Sequence, residues 1–465
     1  MKLLRRVMAP AAAAALAITA AACSGSPSGS GSGSSGGGTV TVLYSNNYVF
    51  NSDQLATQWW KGIAKQWKAK YPHTKLVLEG TGGTDIDLMN KAAILFRSPS
   101  TTPDVIQMPT TYVAQFAGSN YLAPLNSFVN SPLAASFWPT MPAGVHAMST
   151  IDGNVYSVNA GNNNTGLLYN KAMLTKAGVK MPWNPTNWQQ ILQVAAKVKA
   201  ANPGVWPLWV AAGVAAGPTN VLQGSGNLIF GSSNTTMFDT KTKKWVVNSS
   251  GIRATLAFYQ SMFQQGLGAP TSQLFRSDAV GQPPLLMKQG KLAIAIGSNW
   301  YPSVWASNQS AAPWAAAKTA VGSAPFPTEN GQAPGYASSL GGWELGIGAH
   351  TANATLAWDF IQTAQQQTNM IDADNWGGWV PPDKQYWSAP QYVNYAPPYQ
   401  SFFAKIMPSA VDEPNTTDFA VWGTGFNNAT GAIIENPSTT PQQALNIMKT
   451  YITEQLGSNM VETLK

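Results

Sequence analysis

The sequence predicts an α/β protein, and three observations carry that expectation. Short apolar runs that read as buried strands alternate with amphipathic helices. Strand–helix–strand order builds a parallel sheet covered by helices. The chain has 465 residues, 44% of them hydrophobic. That is enough for two or three domains with real cores, and it excludes global disorder.

The elements follow in order. Val40-Thr41-Val42-Leu43 is an apolar run that reads as a buried strand. Leu55, Trp59, Ile63 and Trp67 then recur at steps of four, with Lys61, Lys65 and Lys68 off that stripe. This is an amphipathic helix, ended by Tyr71-Pro72. Leu76-Val77-Leu78 is a second strand, residues 88–96 a second helix, and Val105-Ile106 a third strand. Asp152-Gly153-Asn154 marks a turn. A helix over 188–199 is entered through Pro185-Thr186-Asn187, and another carries Ile252, Leu256, Tyr259 and Phe263 and stops at Gly266. Residues 292–296 form an apolar run that reads as a buried strand, and a helix with Leu356, Phe360 and Ile361 comes after it. The last helix opens on Thr440-Pro441-Gln442-Gln443, a capping box with Pro at its first position, and stops at Gly457.

Ahead of this body lies a targeting pattern. Lys2, Arg5 and Arg6 precede an Ala-rich apolar stretch that ends at Ala20-Ala21-Ala22-Cys23. Residues 1–22 read as a signal peptide whose end resembles a bacterial lipobox, with Ala20 where that pattern prefers Leu. Cys23, the sole cysteine, is then the lipidated first residue. Residues 23–38 are nearly all Ser and Gly, a flexible tether of roughly 20 Å.

Composition excludes several classes. One Cys and three His cannot build a Cys-type zinc site or a disulfide framework. The net charge of +7 comes from scarce acids, 20 against 27 bases, and the bases are scattered rather than clustered. A nucleic-acid partner needs a basic face, so none is expected. No metal and no cofactor is expected either. With so few carboxylates, stability should depend weakly on pH down to roughly pH 3–4.

An ordered series of segments carries a resemblance. It begins with residues 40–43, then Lys75-Leu76-Val77-Leu78, Pro103-Asp104-Val105-Ile106 and Tyr121-Leu122-Ala123-Pro124-Leu125. Asp152-Gly153-Asn154-Val155-Tyr156 and Leu167-Leu168-Tyr169-Asn170-Lys171 follow, then residues 287–294 with Ser298-Asn299-Trp300. Leu340-Gly341-Gly342-Trp343 and Ala357-Trp358-Asp359-Phe360-Ile361 close the series. Together they resemble the family-1 extracellular solute-binding proteins of ABC sugar importers, the group of maltose-binding-protein-like chains. The resemblance implies a two-lobe periplasmic-binding-protein-like fold, each lobe a sheet flanked by helices, with a ligand cleft between the lobes. It places the first lobe at 39–157 plus 292–348 and the second at 158–291 plus 349–465. The chain would thus cross near 156–159, return near Leu292 and leave again near 346–350.

The same resemblance implies a site. A sugar offers C–H faces to aromatic rings and hydroxyls to amides and carboxylates. Trp300 occupies the family's cleft tryptophan position, and Trp343 follows a glycine pair that lets backbone approach a ligand. Asn163 stands six residues before Tyr169, where maltose-binding protein has a sugar-binding acid. Asn46 and Tyr48 follow the first strand and Thr111 and Tyr112 the third, where open α/β sheets hold their ligands. Trp376 and Trp379 flank Gly377-Gly378 and would rim the second lobe. Trp59, Trp60, Trp67 and Trp188 sit on helices, and Trp59 and Trp67, which share the apolar stripe, read as core.

A secreted glycosidase would need two facing carboxylates. Asp152, Glu344, Asp372, Asp374, Asp412 and Glu413 are available, but no motif selects a pair. The expectation is a monomeric, non-enzymatic, lipid-anchored protein on the outer face of a bacterial plasma membrane. It would capture a carbohydrate, an oligosaccharide by preference, and deliver it to ABC permease subunits, touching the membrane only through its lipid.

Overall fold

The crossing of two long strands organises the molecule. The computed structural model describes residues 38–46, 52–215, 217, 221–396 and 398–464. The signal segment, Cys23, almost all of the tether and Tyr48 lie outside the described residues.

The strands that position the site are β1 (Thr39–Ser45), β2 (Lys75–Thr81), β3 (Val105–Pro109), β4 (Ser157–Asn170), β5 (Trp206–Trp209), β6 (Leu292–Ser298), β7 (Val321–Ala324), β8 (Tyr336–Ile347) and β9 (Ala410–Asp412). The main helices are α1 (Asp53–Lys70), α2 (Asp85–Leu95), α3 (Ala143–Met148), α4 (Trp188–Ala201), α5 (Ser250–Gln264), α6 (Ala354–Ala364), α7 (Gln367–Gly377), α8 (Tyr399–Ile406), α9 (Phe419–Glu435) and α10 (Pro441–Leu456).

Local chemistry explains the helix ends. Ser52 accepts from the Leu55 amide to start α1, and its Leu55-Trp59-Ile63-Trp67 stripe is buried while Lys61 and Lys65 stay exposed. Capping boxes open α2 (Thr84 with Asp87) and α10 (Thr440 with Gln443). Gly378, at φ 76, ends α7 in the left-handed conformation that a side chain resists.

One sheet runs through the body in the order β2-β1-β3-β8-β4-β6-β5, with β7 added to β4 and β9 to β8. Its first half pairs β1 parallel with β2 and β3, and β3 antiparallel with β8. Its second half pairs β6 antiparallel with the end of β4, from Thr165 to Tyr169, and parallel with β5. Among the described residues, only β4 and β8 serve both halves. β4 is 14 residues long, all but the last buried, which at about 3.3 Å per residue spans roughly 45 Å. Helices flank the sheet, so the protein is an α/β molecule of two lobes.

Strand pairing places two crossings differently from the sequence expectation. The run at Leu292 does not return the chain to the first lobe. Hydrogen bonds tie β6 to β4 beyond Thr165 and to β5, so β6 is a second-lobe strand. The return is β8, whose residues 343–347 pair with β3. The chain also stays with the first lobe past residue 350. α6 buries its apolar face on α1, where Phe360 stacks on Trp60 at 6.3 Å, and Trp59 Nε1 donates to the Asn369 carbonyl at 2.7 Å. It leaves only near the end of α7.

Candidate functional site

Strand direction singles out one region. β3 is antiparallel to β8 and β8 to β4, so β1 and β3 run the same way as β4, and their carboxyl ends point toward the second lobe. β6 and β5 run opposite to β4, so their carboxyl ends point back. Both sets of carboxyl ends therefore face one region, bridged by residues 161–164 of β4 and 340–343 of β8. In open α/β sheets the carboxyl ends of strands are where ligands sit.

The sequence candidates divide around this region. Trp343 stands at its centre, opposite Pro109 on one side and Gly161 on the other. Thr111 and Tyr112 follow Pro109 one residue on, past the buried Thr110, and both are partly exposed. Tyr112 has its phenol pushed up by burial and, secondarily, by the charge of Asp85. Asn46, at the end of β1, donates its amide to the Thr81 carbonyl at 2.9 Å. Its side chain lies over Gly80, where a Cβ would fall 1.8 Å from Asn46 Oδ1.

Opposite them, Trp300 follows β6 with 9% of its surface exposed, its ring edge-on to Tyr301 at 4.6 Å. It is carried by the second lobe, not the first. Asn163 is paired with Gly341, is 8% exposed, and has an Oδ1 without a hydrogen-bond partner. Trp376 is partly exposed one step before Gly377.

Trp379 is only 1% exposed. Its indole fills the space in front of two glycines. A Cβ at Gly161 would fall 2.1 Å from Trp379 Cε3, and one at Gly377 2.6 Å from Cε2. Gly161 also has φ 153, a backbone state that side chains rarely adopt. The ring is held by a short bridge: Asn162 and Val380 exchange hydrogen bonds of 3.0 and 2.9 Å, and Tyr392 Oη donates to the Trp379 carbonyl at 2.9 Å. Gly378 packs on the Trp300 backbone, a Cβ there falling 2.6 Å from its Cα. Glycines thus draw Trp300, Trp379 and the crossing strand together.

Asparagines line the crossing. Asn299 Nδ2 donates to the Asn162 carbonyl at 2.7 Å, and the Asn299 amide to the Asn164 carbonyl at 2.9 Å. Asn162 Nδ2 and Oδ1 and Asn164 Oδ1 have no protein partner. Unsatisfied buried amides are costly in a finished core and useful where a polar solute supplies the missing bonds. Beyond Leu340 and Asn164, β4 and β8 part. There the Ser338 hydroxyl accepts from the Thr165 amide at 3.0 Å and donates to the Thr165 carbonyl at 2.8 Å, replacing a backbone rung.

Sequence reasoning missed Asn162, Asn164 and Asn299. The run Asn162-Asn163-Asn164 inside a buried strand was the available signal. Neither β4 nor β8 carries a Lys or Arg. The acid on β8, Glu344, is fully buried, and burial pushes its carboxyl up to about 7. Among the described residues, no group of three His, Cys, Asp or Glu could hold a metal ion, and no helix is long and apolar enough to cross a membrane.

Known proteins share this architecture. The maltose-bound MalE3 of T. maritima superposes with a TM-score of 0.74 at 18% identity, over 90% of this chain and 100% of its own. A solute-binding protein from Thermotoga lettingae, solved with alpha-D-tagatose, gives 0.73 at 18% identity over 90% and 100%. One from Agrobacterium radiobacter K84, solved with ribitol, gives 0.73 at 17% over 90% and 99%. In sequence, a protein of Brucella abortus (strain 2308) named as a binding protein is 29% identical over 103 residues. That match spans 22% of this chain and 24% of the relative. The profile of the family described as bacterial extracellular solute-binding protein matches residues 51–371. More than half of the chain lies within that match, and the chain belongs to the bacterial extracellular solute-binding protein family.

Proposed function

We propose that the protein captures a neutral carbohydrate in the gap between its lobes and presents it to the permease of an ABC importer. The observation that carries this reading is the polar lining of the crossing: Asn162 Nδ2 and Oδ1, Asn163 Oδ1 and Asn164 Oδ1 lack partners, beside Trp300 and Trp343, on strands without a basic residue. Amides satisfy hydroxyls and indoles pack on C–H faces, while a phosphate or carboxylate ligand would call for Arg or Lys. Trp300, Trp376 and Asn163 would then act from the second lobe, and Asn46, Tyr48, Thr111 and Tyr112 from the first. Trp379 supports the wall behind them. The sugars and the polyol named for the structural relatives are of the same hydroxyl-rich, uncharged kind.

In this reading Cys23 carries a lipid and the Ser/Gly tether holds the capture at the outer membrane face, with the lipid as the only attachment. The protein acts as a monomer and transforms nothing. An oligosaccharide is the preferred solute, because two or more rings would use Trp300 and Trp343 together.

The test is a thermal-shift screen against maltose, maltotriose, larger glucans, monosaccharides and ribitol, since a ligand that binds only the folded state raises the melting temperature. A shift with one sugar class, lost in Trp300→Ala, supports the reading. A charged metabolite that shifts the protein where no sugar does, or a sugar product that accumulates, overturns it.

A further inference from the structure

Two carboxyl pairs lie beside the crossing strands, Asp412 with Glu344 and Asp412 with Glu413. Glu344 lies on β8 beside a register shift between Trp343 and Glu344. Its oxygens accept from Ser149 Oγ and from Asn159 Nδ2, each at 2.9 Å. Ser149 directly follows α3, and Asn159 is on β4, so one carboxyl ties the first lobe to both crossing strands. The charges of Asp412 and Glu344 act on one another, as do those of Glu413 and Asp412. Glu413 is 5% exposed, and both its oxygens lack partners.

Asp412 and Glu413 belong to a strap, residues 407–418, that joins α8 to α9. Both ends are fixed in the second lobe: the Phe403 carbonyl of α8 accepts from Asn164 Nδ2 at 2.9 Å, and Trp422 of α9 donates to the Val246 carbonyl at 2.8 Å. Its middle reaches the first lobe. Asn415 Nδ2 donates to the Ala147 and Met148 carbonyls at 3.2 and 2.9 Å, capping the end of α3. The gap between the strap and Thr110 and Thr111 is only about 10 Å³. It has room for a single water-sized group and no solute.

Among the described residues, no cation pairs with these acids. β3, β4, β8 and β9 carry no Lys or Arg. α3 brings His146, whose ring packs edge-on against Trp138 at 4.3 Å and whose burial disfavours the charged form. The turn after β3 brings Tyr112, the 150–155 turn brings Asp152, α8 brings the exposed Lys405, and the strap ends in Asp418. Carboxyls paired in this way without a counter-charge cannot all be ionised while they stay packed.

We propose that this junction is a proton-operated latch on the cleft: with the carboxyls protonated the strap stays seated across both lobes, and their ionisation unseats it, so solute capture is favoured in acid. Each carboxyl takes up or releases one proton to solvent, and no other bond changes. The coupling to capture rests on the cleft reading above; the latch itself does not.

Hydrogen–deuterium exchange on the full chain at pH 5.5 and 8.5, corrected for intrinsic exchange rates, reads the strap directly. Wild-type amides of residues 410–417 should exchange at least about tenfold faster at pH 8.5, the factor one unit of differential protonation supplies. Glu413→Gln and Glu344→Gln should each shrink that ratio, and Asn415→Ala should give fast exchange at both pH values. Equal wild-type protection at both pH values, or the full ratio persisting in a Glu344→Gln/Glu413→Gln double variant, overturns the latch. Maltotriose calorimetry on the same proteins tests the coupling. Tighter binding at pH 5.5 that flattens in the double variant supports it. Equal affinities beside a strap that does respond overturn it. Absent maltotriose binding at both pH values counts against the oligosaccharide reading, and the latch is then decided by exchange alone.

Discussion

Replacing Trp379 tests the packing that shapes the cleft wall. The indole is 1% exposed and pressed between Gly161 and Gly377. Truncating a buried Trp to Ala costs about 3–5 kcal/mol when the site cannot collapse. Two glycines have no side chains with which to fill the void, so Trp379→Ala belongs in that range. Gly161→Ala should be destabilising for two separable reasons. Its methyl meets the ring at 2.1 Å, and its φ of 153 disfavours any side chain. Only the first reason disappears when the ring is removed. In a double-mutant cycle read by urea midpoints, the Gly161→Ala/Trp379→Ala protein should be more stable than additivity predicts, by about 1 kcal/mol or more. Additivity within about 0.5 kcal/mol, or a Trp379→Ala protein that keeps wild-type stability while losing sugar binding, would refute the packing and make Trp379 a solute-contacting ring.

Three further expectations follow from the structure. Glu344 has its carboxyl raised to about 7 from an ordinary 4.5, so its share of stability is full below about pH 4.5 and is lost as pH rises through 7. At about 1.36 kcal/mol per unit this is about 3 kcal/mol, seen as a falling melting temperature between pH 5 and 8 that Glu344→Gln flattens. Ser338→Ala removes the hydroxyl that serves both backbone groups of Thr165, and chemical denaturation should report about 1–3 kcal/mol lost. Mass spectrometry of the native membrane-bound protein should find a lipid-modified N-terminal peptide beginning at Cys23; an unmodified chain starting elsewhere would contradict the anchor.

The elements were legible because their signals are local. The Leu55-Trp59-Ile63-Trp67 stripe, the Thr440 capping box and the Gly457 stop each lie within a few residues, and each became the element it announced. Partnership between distant elements was not legible. The apolar run at 292–296 says that β6 is buried, but a strand buried on both faces looks the same beside β3 or beside β5. Glu344 and Glu413 read as ordinary acids, because the sequence does not show that each pairs with Asp412 without a cation. The expected indifference to acid follows from a count of 20 acids; the structure moves the pH response to the neutral and alkaline side, where a few buried acids outweigh the many exposed ones. Trp300, Trp343, Asn163, Thr111 and Tyr112 lie on the crossing strands or just after strand ends that face one region, because strand ends are a topological property that a resemblance can carry.

The asparagine-lined crossing also has a kinetic consequence. Fields from clustered charge can accelerate capture of a charged solute by 10–10³-fold, an advantage that salt removes. Here the crossing strands present amides and indoles, their one acid, Glu344, is buried, and the 27 basic and 19 other acidic residues are dispersed elsewhere. An uncharged sugar feels no pull from such a surface, so its encounter with the cleft proceeds by unguided diffusion. Uptake that begins with this protein would run at the same rate in dilute water and in brine, a property suited to surroundings whose ionic strength changes.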